Sequence, residues 1–541
     1  MTGHANRAAG LTLSDIVARH ARSRPDDIAL VDGASAGNDA AVGAVGPAGR
    51  CTFARLDART ETRAMELRRR GVSPGDRVAV LAGNSINVLE AYYATVRVGA
   101  ICVPVNFRLV ADEVAFILRD SGARVLFVDA AHSGVAGAAC MQVDSPPAII
   151  ELDADLALDV VGSADAGGPA VPDEAAAFIM YTSGTTGRPK GAVLTHRNLY
   201  VHATSQIAHN GLAATDRTYL TGAPLFHIAG LAGTLPFLIT GGRSVIMPSG
   251  GFDAAAMLAR LQSERVTSCF FVPSQWALIC DAVDAGDYDL SALQRLTWGA
   301  GPATVELLRR IMRTFPKSQL LSSFGQTECS PVTCTLRGAD ALAKIGSVGT
   351  PMINVEVRVV DDAMKDVPTG AVGEIVYRGP TVMTEYWNRP EETAEAFRGD
   401  WFHSGDLVRR DEDGFVYVVD RKKDMIISGG ENIYSAEVEN AIAEHLAVAD
   451  VAVVGIPDDR WGETPLAVVV LRPGVRAPTP EQLLSHCRER LAAYKCPRRY
   501  QVVDELPRNA SGKVVKAELR ARFADSSGPS LPGPAQTAPP T

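Results

Sequence analysis

The sequence predicts an α/β protein, with a large N-terminal domain of mixed and parallel sheets flanked by helices and a small α+β C-terminal domain. Three observations carry this expectation. Short apolar runs alternate with segments of helical spacing as far as Trp401. The hydrophobic fraction, 46% of 541 residues against 21% charged, is that of a globular chain able to bury large cores. The style changes after Trp401, and beyond Lys423 a smaller α+β pattern follows.

Each element follows in order. RVAVL (Arg77–Leu81) reads as a buried strand, and ICVPV (Ile101–Val105) as the next. Between them, Val88, Leu89, Tyr92, Tyr93 and Val96 recur at helical spacing, which makes a βαβ unit. SVIMP leads to a helix capped by Asp253 and then to the strand SCFFVP. LQRLTW passes through GAGP into a helix with Val305, Leu308, Met312 and Phe315 on one face, and SQLLSSF follows as a strand. Repeated βαβ units predict parallel sheets with ligands outside the carboxyl ends of the strands.

After Trp401, LVRRDEDGFVYVVDR predicts a hairpin turning at Asp413-Gly414. A helix from Ser435, the strands ADVAVVGI and PLAVVVL, and a helix opened by Thr479, Pro480 and Gln482 as a capping box complete the pattern. We expect domains at 11–422 and 423–525, with disordered tails at 1–10 and 526–541 and a Gly/Ala-rich loop from Ala34 to Arg50.

A formal net charge of −9 argues against a nucleic-acid binder, so a polyanionic ligand must be held by local groups. Nine cysteines without a CxxC pair suit reduced thiols in a cytoplasm. The N-terminus shows no signal-peptide h-region. The most apolar stretch, Ile228–Thr240, is short and broken by glycine and proline, so it reads as core and not as a membrane span.

YTSGTTGRPKG (Tyr181–Gly191) is the segment that points to chemistry. Glycines at 184, 187 and 191 let backbone N–H groups turn inward as an anion nest, hydroxyls add donors, and Lys190 adds a charge. The string does not fit the P-loop pattern, which disfavours an ordinary P-loop NTPase. It resembles the phosphate-loop signature of the adenylate-forming superfamily of acyl-CoA synthetases, peptide-synthetase adenylation domains and luciferases. PLFHIAG (from Pro224), WGAGPAT (from Trp298), SFGQTE (from Ser323), GEIVYRGPTVMTEYWNRPEET (from Gly373), WFHSGDL (from Trp401), DRKKDMIISGGENIYSAEVE (from Asp420) and PRNASGKVVK (from Pro507) extend that resemblance across the chain in the family's order.

The resemblance implies ATP, Mg²⁺ and coenzyme A as co-substrates and cofactor, and it assigns roles. Thr182, Ser183, Gly184, Thr185, Thr186, Gly187 and Lys190 would hold the phosphates. Gly299, Ala300, Gly301 and Pro302 would approach adenine and the acyl group. Phe324 stands where the family usually has tyrosine, keeping the stacking surface and losing the hydroxyl; Gly325 and Gln326 continue that strand end. Thr327 would bond the α-phosphate and Glu328 would ligate Mg²⁺, as a hard cation wants carboxylate oxygen. Asp406 would accept from the ribose hydroxyls, with Arg421 near the sugar. Lys423 would be the hinge of a mobile C-terminal domain, Gly429 and Gly430 would line the pantetheine tunnel, and Lys513 would bridge the carboxylate and the α-phosphate. Phe226 and His227 would border the acyl pocket, His227 as a gate, with a buried structural histidine as the alternative; FFVPSQW (Phe270–Trp276) would supply another wall.

The implied reaction is activation of a small-molecule carboxylic acid as acyl-AMP, followed by transfer to coenzyme A. The motif wording is most similar to bacterial fatty-acyl-CoA synthetases. Aryl-acid ligases of the coumarate or benzoate type are the alternative, as is an acyl-AMP ligase loading a carrier protein. A non-catalytic adenylate-binding sensor or scaffold is the reading from another class, disfavoured by the presence of Lys513 and Glu328. The chain ends after the Lys513 motif without an appended carrier domain, and PLFHIAG lacks an acidic residue for an amino group; both disfavour a peptide-synthetase module. We expect a cytoplasmic enzyme with no transmembrane segment and no nucleic-acid partner. A fatty substrate would bring transient contact with a membrane surface, and a homodimer is compatible with the reading.

Overall fold

The computed structural model describes residues 12–33, 49–153, 171–182, 189–212, 217–301, 303–338, 340–429, 431–458, 461–508 and 514–524. The tails expected at 1–10 and 526–541, and the loop from Ala34 apart from Gly49 and Arg50, lie outside these residues. The described residues fall into two compact units, one within 1–357 and 377–402, the other within 358–376 and 403–541. The fold is the expected α/β architecture.

Two large sheets build the first unit. The nine-stranded sheet runs in the order Thr350–Pro351, Val332–Thr335, Gln319–Gly325, Arg295–Gly299, Ser268–Phe271, Thr218–Thr221, Arg243–Ile246, Ile28–Asp32 and Arg50–Thr52. Its six central strands are parallel, and antiparallel strands close both edges. The seven-stranded sheet runs Glu385–Tyr386, Lys190–Thr195, Ala176–Thr182, Ile101–Val105, Arg77–Leu81, Val125–Val128 and Ala148–Glu151. The strands that follow helical crossovers are parallel because only a long connection returns the chain in the same direction.

The βαβ grammar of the sequence maps onto these sheets. The helix Ile86–Arg97 starts at Ser85, whose hydroxyl accepts from the Val88 N–H. The helix Ala254–Ser263 is capped by Asp253, whose carboxylate accepts from Ala255 and Ala256. Such caps satisfy otherwise orphaned N–H groups at each helix start. In the helix Val305–Thr314 the expected face is kept from Leu308 onward: Leu308, Ile311 and Phe315 are buried and Met312 packs against their core, while Val305 is exposed.

The apolar stretch Ile228–Thr240 is a buried helix with Pro236 inside it. Among the described residues no helix is long and apolar enough to cross a membrane. All nine cysteines are free thiols.

The second unit is smaller. Phe402–Arg410 and Val416–Arg421 form the expected hairpin, in a four-stranded sheet with Glu356–Val360 and Val372–Arg378. Gly414 takes φ +84° at its turn, a left-handed value that favours glycine. A five-stranded sheet joins Glu431–Ile433, Ile426–Ser428, Gly462–Leu471 and Val448–Asp458, with Arg499–Val502 parallel to Gly462–Leu471. The helices Ser435–Ala443 and Pro480–Arg488 cover one face, and Lys516–Phe523 covers the other. Thr479 and Gln482 form the expected capping box.

Candidate active site

In the first unit the predicted residues gather at the carboxyl ends of strands. Gly299 and Ser323 are register partners on adjacent parallel strands, so Gly299–Gly301 and Phe324–Glu328 leave the nine-stranded sheet side by side. Close packing sets this edge. A Cβ on Gly299 would stand 2.4 Å from the Ser323 carbonyl oxygen, and one on Gly325, at φ +148°, 2.1 Å from that of Pro331. Ala300 takes φ +63°, a strained value for a residue with a side chain. Gly301 has open space where a Cβ would go. Phe324 is half-buried, and its carbonyl accepts from the Thr333 hydroxyl at 3.2 Å.

Thr327 and Glu328 sit in a short 3₁₀ turn after this strand. Glu328 is buried, and the Tyr386 hydroxyl donates to its Oε1 at 2.9 Å. Burial, reinforced by the Glu328 charge, pushes the Tyr386 phenol well above its ordinary pKa, so it stays a donor. The Lys190 ammonium lies 5.4 Å from the centroid of the Tyr386 ring. Tyr386 therefore joins Lys190 to Glu328, the carboxylate expected to hold Mg²⁺.

Backbone pairing makes this meeting necessary. Thr182 and Lys190 are partners across the hairpin that carries the loop, and Tyr386 pairs with Ala192 on its outer strand. Tyr386 lies within the motif that starts at Gly373, yet nothing local marks it out, because Glu328 is 58 positions away. A second group missed by sequence reasoning anchors the same hairpin. Asp120 accepts from the Tyr181 hydroxyl and from Arg389, each at 2.7 Å. Its carbonyl accepts from Trp387 Nε1 at 3.1 Å and Asn388 Nδ2 at 3.0 Å.

Ser183, Gly184, Thr185, Thr186, Gly187, Pro302, Gly430 and Lys513 lie outside the described residues. Phe226 packs edge-on against Phe107 with centroids 5.4 Å apart. His227 caps the helix Ile228–Thr240, its Nδ1 accepting from the Ala229 N–H at 3.2 Å. Within FFVPSQW, Phe271 and the helical Trp276 are fully buried against each other in the core, while Phe270, on the opposite face of its strand, lies beside Gly299.

The second unit holds the other predicted residues. Asp406 is buried, and Arg421 Nε lies 2.8 Å from its Oδ1. Lys423 is exposed, and its carbonyl accepts from Arg520, which also bonds Asp424 at 2.7 Å. Gly429 takes φ +62°, and a Cβ there would come 2.5 Å from the Trp461 indole.

The profile of the AMP-binding enzyme family matches residues 17–387, and that of the AMP-binding enzyme C-terminal domain matches residues 437–513. The chain belongs to the AMP-binding enzyme family. Feruloyl-CoA synthases from Amycolatopsis sp. and Streptomyces sp. are each 44% identical to it over 476 residues, covering 87% of this chain and 94% of theirs. A long-chain-fatty-acid–CoA ligase of Mycobacterium tuberculosis is 35% identical over 480 residues, covering 88% and 93%. Among solved structures, the o-succinylbenzoate coenzyme A synthetase of Bacillus subtilis in complex with ATP and magnesium ion superposes with a TM-score of 0.80 at 32% identity, covering 94% of this chain and 99% of that one.

The donor set suits such a cation. Mg²⁺ is typically held by one or two carboxylates together with substrate phosphates, and Glu328 beside the Thr327 hydroxyl offers that chemistry. Among the described residues no group of three His, Cys, Asp or Glu is arranged to hold an ion by itself.

Proposed function

We propose that this AMP-binding enzyme is an acid–CoA ligase that activates an aryl carboxylic acid of the ferulate class. The carrying observation is the 44% identity to feruloyl-CoA synthases over 87% of the chain. Fatty acids are the second reading, supported by the 35% identity to the mycobacterial long-chain ligase.

The residues divide the work. Lys190 and the hydroxyls of the 182–186 segment hold the β- and γ-phosphates of ATP, while Phe324 stacks on adenine and Thr327 bonds the α-phosphate. Glu328 holds Mg²⁺, which when bound neutralises phosphate charge, and Tyr386 orients that carboxylate. Asp406, steadied by Arg421, accepts from the ribose hydroxyls. Lys513 bridges the two anions as the acid oxygen attacks the α-phosphorus and pyrophosphate leaves. The thiol of coenzyme A then displaces AMP from the acyl-adenylate. Lys423 is the hinge for this second half, and Gly429 and Gly430 line the pantetheine path.

Pyrophosphate release with ATP and Mg²⁺, over a panel of aryl and fatty acids with and without coenzyme A, tests the reading. Ferulate should be among the best acids, and Lys513→Ala should slow adenylation by about 100-fold or more. Faster turnover with long-chain acids would favour the second reading. Release without thioester would point to a carrier-protein acceptor, and no release with any acid would sink the ligase.

A further inference from the structure

Asn84 follows the strand Arg77–Leu81 of the seven-stranded sheet, yet its side chain is spent wholly on the other sheet. Its amide nitrogen donates to the carbonyls of Ala223 at 3.1 Å and Met247 at 3.2 Å. Its Oδ1 accepts from the Leu225 N–H at 2.7 Å. Ala223 and Met247 follow the neighbouring parallel strands Thr218–Thr221 and Arg243–Ile246, so one carboxamide ties three backbone groups at the carboxyl ends of two strands. The Asn84 backbone N–H adds a bond to Ser249 Oγ at 2.8 Å.

The other side of Leu225 is held from the same direction. Tyr92, fully buried in the second turn of the helix Ile86–Arg97, donates its hydroxyl to the Leu225 carbonyl at 3.2 Å. Leu225 thus has both backbone polar groups fixed by one strand–helix turn of the opposite sheet. The next residues are Phe226 and His227. Downstream, a Cβ on Gly230 would stand 2.2 Å from the Pro224 carbonyl oxygen, so the turn has no slack on that side either.

We propose that Asn84, backed by Tyr92, is a positioning residue for the carboxylic-acid substrate: by fixing the Ala223–His227 turn it sets which acids the pocket admits. This rests on the reading of Phe226 and His227 as the border of the acyl pocket. Only a carboxamide of this length serves. Aspartate would keep the acceptor for Leu225 but set a carboxylate oxygen against two carbonyl oxygens, and glutamine is one methylene too long.

The test is steady-state kinetics of the full-length enzyme with ferulate and with decanoate, varying acid and ATP separately. Asn84→Asp should raise the KM for ferulate about tenfold, leave the KM for ATP within about twofold, and change the ferulate-to-decanoate ratio of kcat/KM. Tyr92→Phe removes only the hydroxyl and should shift that ratio in the same direction by about two- to threefold, which keeps the idea testable should Asn84→Asp not fold. An unchanged ratio in a folded variant would overturn the inference alone, as would a rise in both KM values by one factor, the mark of a merely structural role. Absence of acid-dependent pyrophosphate release in the unmodified enzyme would overturn the ligase reading and this inference with it.

Discussion

One edge of each large sheet is held by a different means. At the nine-stranded sheet, main chain presses on main chain. Gly299 lies against the Ser323 carbonyl, Gly325 against Pro331, and Ala300 occupies a left-handed conformation. At the seven-stranded sheet, side chains converge on one aspartate. Asp120 collects Tyr181, Trp387, Asn388 and Arg389, and the Arg77 guanidinium lies over the Trp387 ring at 5.3 Å. The first edge is a matter of space and admits no added atom at Gly299 or Gly325. The second is a matter of pairing and tolerates any change that keeps donors and acceptors matched.

Gly325→Ala should therefore have the largest effect. The new methyl would meet a backbone oxygen at 2.1 Å, in a φ region that L side chains rarely adopt. We expect a loss of about 3 kcal/mol or more in denaturant unfolding, combining overpacking with backbone strain. A loss under about 1 kcal/mol would mean that this edge yields and that the contrast is wrong.

Asp120→Ala probes the other edge. The Asp120 side chain is 10% exposed and its partner Arg389 26%, so the ion pair is partly screened by solvent. Losing its bonds to Arg389 and Tyr181 should cost about 2 kcal/mol, and Asp120→Asn, which keeps an acceptor, should recover about half. Equal losses for the two variants would mean that charge, and not hydrogen bonding, holds the hairpin.

The same contrast explains what the sequence could reveal. The Gly299–Gly301 and Phe324–Glu328 segments were legible as motifs at strand ends, because an apolar strand and its end are local signals. The strands Arg77–Leu81 and Ile101–Val105 and the caps at Asp253 and Thr479 were legible for the same reason. The Asp120 cluster was not, since Asp120 stands in no motif and lies up to 269 positions from its partners, which belong to two separate ones. Tyr386 stood in a quoted motif without a role, because its role exists only once Glu385–Tyr386 pairs with Lys190–Thr195. Val305 failed for a milder reason: helical spacing reports a stripe, while the extent of the neighbouring core decides how much of the stripe is covered.

The smallest expected effect comes from acid, and it falls on the first edge through His202. This imidazole is fully buried, and its Nε2 accepts from the Val332 N–H at 3.2 Å, bracing the strand that pairs with Phe324 and Gly325. Burial lowers its pKa from 6.5 to about 3. A histidine whose folded pKa is depressed binds its proton more readily when unfolded, so stability is complete above the unfolded value and falls as pH drops below it. Between pH 8 and pH 5.5 this one group should remove about 1.4 kcal/mol, in a window where ordinary carboxylates have not begun to protonate. His202→Gln cannot titrate but keeps an acceptor for Val332, so denaturant unfolding of that variant should show a pH dependence flatter by about the same amount. An unaltered slope would mean that His202 titrates freely in the folded state, and the edge it braces would then be looser than the packing around Gly325 implies.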